Sequence, residues 1–438
     1  MKVLKFGGTS VGSAQRIKNV AELITNRGKN IIVLSAMSGT TNSLVQISER
    51  LHNEDIDGAY GIIEGLKQKY ARTLEEMFDD QVYLDLAKNK IQEIFDFIRL
   101  HTMSNFSERY EKEILAQGEL MSTNIMHYYL LSQGIKSVLL PALDYMRIDE
   151  NGEPDYNYIK AHISALLKAS ADADIYITQG FICRNPEGHI DNLQRGGSDY
   201  SASIVGAMIG AEEVQIWTDI DGMHNNDPRF VEKTEPVQEL AFEEAAELAY
   251  FGAKILHPTC VRPAQEHNIP VRLLNTLCPE AFGTLIHNST ENGKIKAVAA
   301  KDNITSIKIK SSRMLLAHGF LKRVFEIFED NKTAIDMITT SEVGVSVTID
   351  NTKNLEQITS ELKGLGDVTI DEDMVIVCVV GDLKWQNCGF EADVVNALRT
   401  IPVRMISYGG SNHNISVLIH KDDKIEALNL LSKHLFNK

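Results

Sequence analysis

The sequence predicts an α/β chain: a mainly parallel sheet covered by helices, followed by two related α+β units. Three observations predict it. Short apolar runs alternate with helical patterns over the first 290 or so residues. Several of these runs are apolar nearly throughout, as in strands buried on both faces. Beyond the polar, turn-forming stretch Asn288-Ser289-Thr290-Glu291-Asn292-Gly293, one order of elements occurs twice.

In order along the chain, Val3–Phe6, Asn30–Ser35, Ser137–Leu140, Ile175–Gly180, Val214–Thr218 and Val271–Asn275 read as strands. Helical patterns cover Ser13–Thr25, Thr41–Leu51, Gly61–Met77, Leu84–Leu100, Glu108–Ser132, Tyr156–Lys168, Asp199–Gly210 and Phe242–Leu256. The stretch from about 52 to 132 holds no convincing strand and reads as a helical insertion. In the first repeat, Gly319-Phe320 opens a helix that leads to Met337-Ile338-Thr339 and then Val345-Ser346-Val347. In the second, Gly389-Phe390 leads to Met405-Ile406-Ser407 and then Ile415-Ser416-Val417. Each unit reads strand, helix, strand, strand, helix, strand. The expected domains are 1–290, with the insertion at 52–132, then 297–370 and 371–438, with interleaving of the last two left open.

Composition bounds the function. Apolar residues make up 43% of the 438, enough for a full core in about two or three domains. The net charge of −16 argues against a nucleic-acid or anionic-lipid surface. No apolar run approaches the roughly 20 residues of a membrane span. The N-terminus carries a strand and then glycines, unlike a signal peptide. The five cysteines are scattered without a CxxC pair, which supports neither a disulfide framework nor a zinc site. A reduced, cytoplasmic protein is expected.

Lys5-Phe6-Gly7-Gly8-Thr9-Ser10 joins a strand to a helix. Its glycines let backbone N–H groups approach an anion, the helix start adds a positive end, and Lys5 adds a point charge suited to a phosphoryl group. It is neither a Walker loop nor a Rossmann fingerprint. Ser35-Ala36-Met37-Ser38-Gly39-Thr40-Thr41-Asn42 offers hydroxyls that either bind an anion or cap a helix at Thr40 or Thr41. In Arg195-Gly196-Gly197-Ser198-Asp199 the arginine suits bidentate carboxylate recognition, while Asp199 is either a helix cap or part of an anion site. Trp217-Thr218-Asp219-Ile220-Asp221-Gly222, with Asn226-Asp227-Pro228-Arg229 after it, follows a strand at the sheet edge where ligands bind. Without a third acid or a glutamate at the twelfth position it is not a calcium loop. Phe251-Gly252-Ala253-Lys254 ends a helix with a cation, which suits that helix's C-terminal dipole as well as a ligand. Glu119 after Gly118 reads alone as helix surface, and His257 before Pro258 as a capping residue. His224, His318 and His413 are too isolated to propose a metal, so no protein metal site is expected.

Lys5–Ser10, Ser35–Asn42, Gly118-Glu119, Arg195–Asp199, Trp217–Arg229 and Phe251–His257 occur in an order and spacing that resembles the aspartokinases, and the repeat resembles their paired ACT regulatory domains. The resemblance spans nearly the whole chain and is to the monofunctional form, without a fused homoserine dehydrogenase. It implies an amino-acid-kinase-like three-layer sandwich followed by two ACT-like βαββαβ units. The activity it implies is transfer of the ATP γ-phosphate to the β-carboxylate of L-aspartate, with Mg²⁺, giving 4-phospho-L-aspartate, the first step towards lysine, threonine and methionine. Lys5 would contact the phosphoryl group beside the loop Gly7, Gly8 and Ser10, and Asp199 would organise the site. Arg195 would grip the α-carboxylate of aspartate, with Ser35, Thr41, Glu119 and Ser198 completing that pocket. Thr218, Asp219, His224, Arg229 and Lys254 would hold ATP, although His224 stands where relatives carry tyrosine and Asp221 where they carry proline. The β-carboxylate needs no general base at neutral pH, so catalysis would rest on in-line positioning and charge neutralisation.

Met314, Phe320, Leu321, Asp336, Thr340, Ser341 and Glu342 match the effector pocket of lysine-inhibited relatives, while Leu316 and Ala317 replace polar residues there. Lysine is favoured over threonine as effector, and a homodimer or higher oligomer through the ACT-like units is the family expectation. Two other readings are a glutamate kinase of the same fold and a catalytically dead amino-acid sensor. The ACT-like pair and Phe251–His257 argue against the first, and intact Lys5, Arg195 and Asp199 against the second.

Overall fold

A computed structural model describes residues 1–103, 106–193, 196–252, 256–288, 293–311, 314 and 318–436. Arg195, Lys254, Leu316 and Ala317 lie outside the described residues. Contacts divide the chain into two compact units: Met1–Met223 with Leu256–Asn288, and His224–Ile255 with Ser289–Lys438.

The first unit begins with β1 (Lys2–Phe6), α1 (Ala14–Thr25), β2 (Asn30–Leu34) and α2 (Thr40–His52). The insertion follows as α3 (Ile56–Met77), α4 (Gln81–Leu100), α5 (Glu108–Leu115) and α6 (Gln117–Ser132). Then come β3 (Ser137–Leu139), α7 (Ala142–Tyr145), α8 (Tyr156–Ala169), β4 (Ile175–Gln179), the hairpin β5 (Ile182–Arg184) and β6 (Ile190–Asn192), α9 (Gly197–Ile209) and β7 (Val214–Thr218). After β8 (Glu239–Ala241) and α10 (Phe242–Tyr250), which lie in the second unit, the first resumes with α11 (Pro258–Glu266), β9 (Val271–Asn275) and β10 (Thr284–His287).

Its strands run in the order β3-β4-β2-β1-β7-β9-β10, parallel except for β10. β2 and β4 are buried at all five positions, the pattern that made them legible as near-continuous apolar runs. From the central β1 the chain goes first to β2 on one side and later to β7 on the other. That topological switch point opens a crevice beyond the strands' carboxyl ends. Phe6, Leu34 and Trp217 share one register row there. The insertion is helical throughout its described part, and its apolar faces join the sheet's own core. Ile63, Leu66, Tyr70, Ile91 and Phe95 cluster with Leu4, Phe6 and Ile32. Burying each such large side chain contributes about 1.5–3 kcal/mol.

Two helices are shorter than their patterns. The run Glu108–Ser132 is broken at Ala116. Gln117 turns its side-chain amide onto the Glu113 carbonyl at 2.8 Å, the acceptor its own backbone N–H would need in a continuous helix. The run expected to reach Leu256 stops at Tyr250, before Gly252 at φ 141°. A Cβ on Gly252 would lie 2.4 Å from the Ala300 carbonyl oxygen, so only glycine fits this close backbone approach.

The second unit is one six-stranded sheet, β12-β13-β11-β14-β16-β15, built on the long strands β11 (Ile295–Lys310) and β14 (Asp367–Gly381). Between these strands the chain forms α12 (Phe320–Asp330), β12 (Ile338–Ser341), β13 (Gly344–Ile349) and α13 (Leu355–Lys363). After them come α14 (Phe390–Ala397), β15 (Met405–Tyr408), β16 (Asn414–His420) and α15 (Lys424–Leu435). The two repeats are interleaved. Thr305–Lys310 pairs with β13 in the first repeat, while Ile295–Lys301 pairs with the second half of β14 and supplies the fourth strand of the second. The boundary drawn at 370/371 therefore falls inside a shared strand. Each long strand holds one left-handed residue between its halves, Asn303 (φ 60°) and Asp373 (φ 59°), where their pairing shifts register. Residues 224–252, expected with the first domain, pack into this unit. The Asn225 carbonyl accepts the Val298 N–H at 2.9 Å, and the Asn226 side chain donates to the Leu428 carbonyl at 3.0 Å.

Candidate active site

The site is built where β1, β2 and β4 end and α9 begins. β1 delivers Lys5 to the sheet edge, and its Nζ pairs with Asp199 Oδ1 at 2.6 Å. Asp199 does not cap α9. The cap is Gly196 at φ 76°, a left-handed position that favours glycine, and Asp199 is the third residue of the helix. There it meets both the helix's positive end and the lysine. In the glycine loop, the Gly7 N–H is directed to the Trp217 carbonyl at 3.4 Å. A Cβ on Gly8 would lie 2.9 Å from the Ala36 carbonyl oxygen, so glycine lets the turns after β1 and β2 lie together. Ser10 is buried, with its hydroxyl 3.4 Å from that of Thr276.

The second turn also has no side-chain cap. Gly39, at φ 79°, precedes α2, and the Thr40 hydroxyl instead meets Tyr70 Oη at 3.0 Å. Ser35 Oγ and Ser198 Oγ are 3.0 Å apart. Glu119, expected on a helix surface when read alone, is 4% exposed, and its Oε1 accepts the Ala36 N–H at 3.1 Å. Its Oε2 is buried with no hydrogen-bond partner among the described residues. Burial pushes the Glu119 carboxyl up to about 8 despite the Ala36 N–H, which favours the charged form.

Ser35, Thr41, Glu119, Ser198 and Gly8 together line a cavity of about 330 Å³, joined by Ala36, Met37, Ser38, Gly39, Asn42, Gly197 and Phe181. Sequence reasoning missed Phe181. Its backbone is left-handed at φ 68° and its N–H donates to Ser201 Oγ at 2.9 Å. The available signal was its place just after Gly180, at the same sheet edge as the glycine loop.

The residues expected at the nucleotide divide between the units. In the first, Thr218 Oγ1 donates to Asp219 Oδ1 at 3.1 Å, and the Thr218 carbonyl accepts the N–H and hydroxyl of Thr276 at 2.8 and 2.9 Å. In the second, His224 Nδ1 lies 2.9 Å from Thr234 Oγ1, and exposed Arg229 pairs with Asp227 at 2.6 Å. His257 caps α11, as read from the sequence: its side chain accepts the Thr259 N–H.

Of the residues expected at an effector, Phe320 is buried at the start of α12, Met314 packs against the same core cluster, and Leu321, Thr340, Ser341 and Glu342 are exposed. Asp336 is already engaged. Its Oδ1 takes Lys301 Nζ at 2.7 Å and the Tyr250 hydroxyl at 2.6 Å, while Lys301 also reaches Asp350 at 2.9 Å.

Comparison with known proteins agrees with this fold. A model of the amino acid kinase family matches residues 1–275, and an ACT domain model matches 377–435. The chain is 32% identical to lysine-sensitive aspartokinase 3 of Escherichia coli (strain K12), across 99% of each. It is similar to the crystal structure of E. coli aspartokinase III in complex with aspartate and ADP (R-state), with 32% identity, full coverage of both chains and a TM-score of 0.84. For the same enzyme in complex with lysine and aspartate (T-state), identity is 33%, coverage is 100% of this chain and 99% of that one, and the TM-score is 0.85.

Proposed function

The chain belongs to the amino acid kinase family and, within it, to the aspartokinases, and on that premise we propose how its site works. The enzyme transfers the ATP γ-phosphate to the β-carboxylate of L-aspartate. The observation that carries this reading is the Lys5–Asp199 pair beside a cavity of about 330 Å³, a volume suited to a small amino acid. The acceptor is already an anion, so the obstacle is its repulsion from the phosphate. Lys5 neutralises charge on the phosphoryl group, and Asp199 holds the lysine until that charge arrives. Asp199 lies in the first turn of α9, directly after Gly197 and Ser198, which line the cavity.

Aspartate lies with its ammonium towards Glu119. The carboxyl there is largely protonated at neutral pH, and an incoming ammonium favours the ionised form, so binding releases a proton. Arg195 takes the α-carboxylate, a role that rests on the motif alone. Thr218 and Asp219, at the end of β7, take the nucleotide, while the parts expected of His224, Arg229 and Lys254 rest on the motif alone. Mg²⁺ enters as part of the nucleotide substrate. Among the described residues no group of three acidic, histidine or cysteine side chains is arranged as a metal site, and Mg²⁺ on a nucleotide needs only one or two carboxylates beside phosphate oxygens. The deciding experiment is a coupled assay for ADP release. Release that depends on aspartate and not on glutamate is expected; its absence refutes the reading.

Lysine is the effector. Its carboxylate meets backbone amides near Phe320, and its side-chain ammonium meets Asp336, whose Oδ2 is buried with no hydrogen-bond partner among the described residues. Lysine and threonine, each at millimolar level in the same assay, test this: activity that ignores lysine refutes it. Two copies associate through the ACT-like units, which light scattering checks.

A further inference from the structure

The peptide of Ser38 is held from both ends. Its N–H donates to the Gly8 carbonyl at 3.1 Å, and its carbonyl accepts from Lys69 Nζ. Lys69 belongs to α3, inside the helical insertion, and sequence reasoning gave it no role. The next residue holds the same turn: Tyr70, fully buried, meets the Thr40 hydroxyl at 3.0 Å. The turn needs this outside help. Gly39 is left-handed and carries no side chain, and α2 has no side-chain cap of its own. Burial holds the Lys69 ammonium below its usual range, and among the described residues no carboxylate pairs with it. A partly buried lysine without a counter-ion, bonded to a loop carbonyl, is suited to fixing that carbonyl. What it fixes is next to the chemistry, because Gly8, Ser38 and Gly39 all line the cavity.

We propose that Lys69 is a positioning residue for phosphoryl transfer: through the Ser38 peptide it holds Gly8, and so the glycine loop, in place against the cavity. The proposal rests on the kinase reading above for its catalytic part. Lys69→Met and Lys69→Arg in the full chain test it, by steady-state kinetics and by hydrogen exchange at the Ser38 amide. Lys69→Met is expected to lower kcat about tenfold, equivalent to ~1.4 kcal/mol of barrier, with the KM for ATP within about twofold. Its melting temperature falls by no more than about 2 °C, because methionine keeps the apolar stem and removes a half-buried charge, and Ser38 exchanges faster. Lys69→Arg, which keeps a donor at the carbonyl, recovers most of kcat and of the protection. A kcat for Lys69→Met within twofold of the parent, or Lys69→Arg as impaired as Lys69→Met, overturns the proposal. An unchanged Ser38 exchange rate overturns the tether itself, whatever the substrate. If the parent chain shows no kinase activity, the functional reading fails separately, and exchange still decides whether Lys69 holds the turn.

Discussion

Two lysine–aspartate pairs of nearly equal length sit in the two units. Lys5 and Asp199 are 2.6 Å apart, and Lys301 and Asp336 2.7 Å. Their surroundings differ. Asp199 directly follows Ser198, which lines the cavity, and Lys5 has no other ion-pair partner among the described residues. Lys301 is enclosed. It touches Asp336 and Asp350, and the ring of Tyr250 lies 4.2 Å from its ammonium. Although burial works against its charge, these partners hold the Lys301 ammonium above its usual range. A lysine with one acidic partner exchanges it for a phosphate at small cost. A lysine surrounded by three partners locks a structure. The same two residue types thus divide between chemistry and architecture according to what else is in reach.

The sharpest way to break this contrast is to remove each lysine. Lys5→Ala should lower kcat by about 10³-fold, as expected when a transition-state charge loses its partner, with a much smaller change in the KM for aspartate. Its stability should fall by less than in the second pair, because Asp199 keeps the positive end of α9 beside it. Near-normal turnover in steady-state assays would refute the role of Lys5. Lys301→Met should do the reverse. It leaves Asp336, whose side chain is 1% exposed, buried without its cation, and costs about 3 kcal/mol in denaturant unfolding while kcat per folded molecule persists. The lysine's raised ionisation means its contribution is full at neutral pH and is lost only as pH climbs through its folded value, above 10.5. Urea midpoints at pH 7 therefore test it cleanly.

Glu119 gives a prediction of intermediate size. Its carboxyl titrates near 8 when folded and near 4.5 when unfolded, so the native chain keeps a proton that the unfolded chain releases. Stability contributed by this residue is accordingly present below 4.5 and lost as pH rises through about 8. Because bound aspartate favours the ionised form, the KM for aspartate should fall as pH rises from about 6.5 to about 8.5. Glu119→Gln should raise that KM about tenfold, by loss of one charged contact, and flatten its pH profile. A profile as steep in the variant as in the parent would assign the proton to another group.

What was legible in the sequence was local. Glycines flanking strands marked the loops at Lys5–Ser10 and Arg195–Asp199, apolar runs marked the buried strands, and the paired Gly-Phe helix starts at 319 and 389 exposed the repeat. What was not legible depends on contacts far apart in the chain. Glu119 reads as surface until the turn at Ala36, 83 residues away, is laid against it. Lys69 and Tyr70 look like ordinary insertion residues until they meet Ser38 and Thr40. The sharing of β11 and β14 between repeats follows from strand pairing, which a one-dimensional pattern does not state. Asp199 was ambiguous for a different reason: a cap and a site residue look alike until the left-handed Gly196 is seen to take the cap position.

The smallest effect tests whether the locked pair also listens to an effector. The Tyr250 hydroxyl donates to Asp336 at 2.6 Å from the end of α10, a few residues before Gly252 packs on Ala300. Burial first, and then this hydrogen bond, push the Tyr250 hydroxyl up to about 12, so it remains a donor throughout the working range. Tyr250→Phe removes one donor while Lys301 still holds the carboxylate, and should cost only about 1 kcal/mol of stability. If a lysine ammonium competes with that hydroxyl for Asp336, the concentration of lysine giving half-inhibition should fall about fivefold, the same free energy read at another site. An unchanged half-inhibiting concentration, in a parent that lysine does inhibit, would mean that the effector does not use Asp336. The pair in the second unit would then be architecture alone, and its difference from Lys5–Asp199 would be complete.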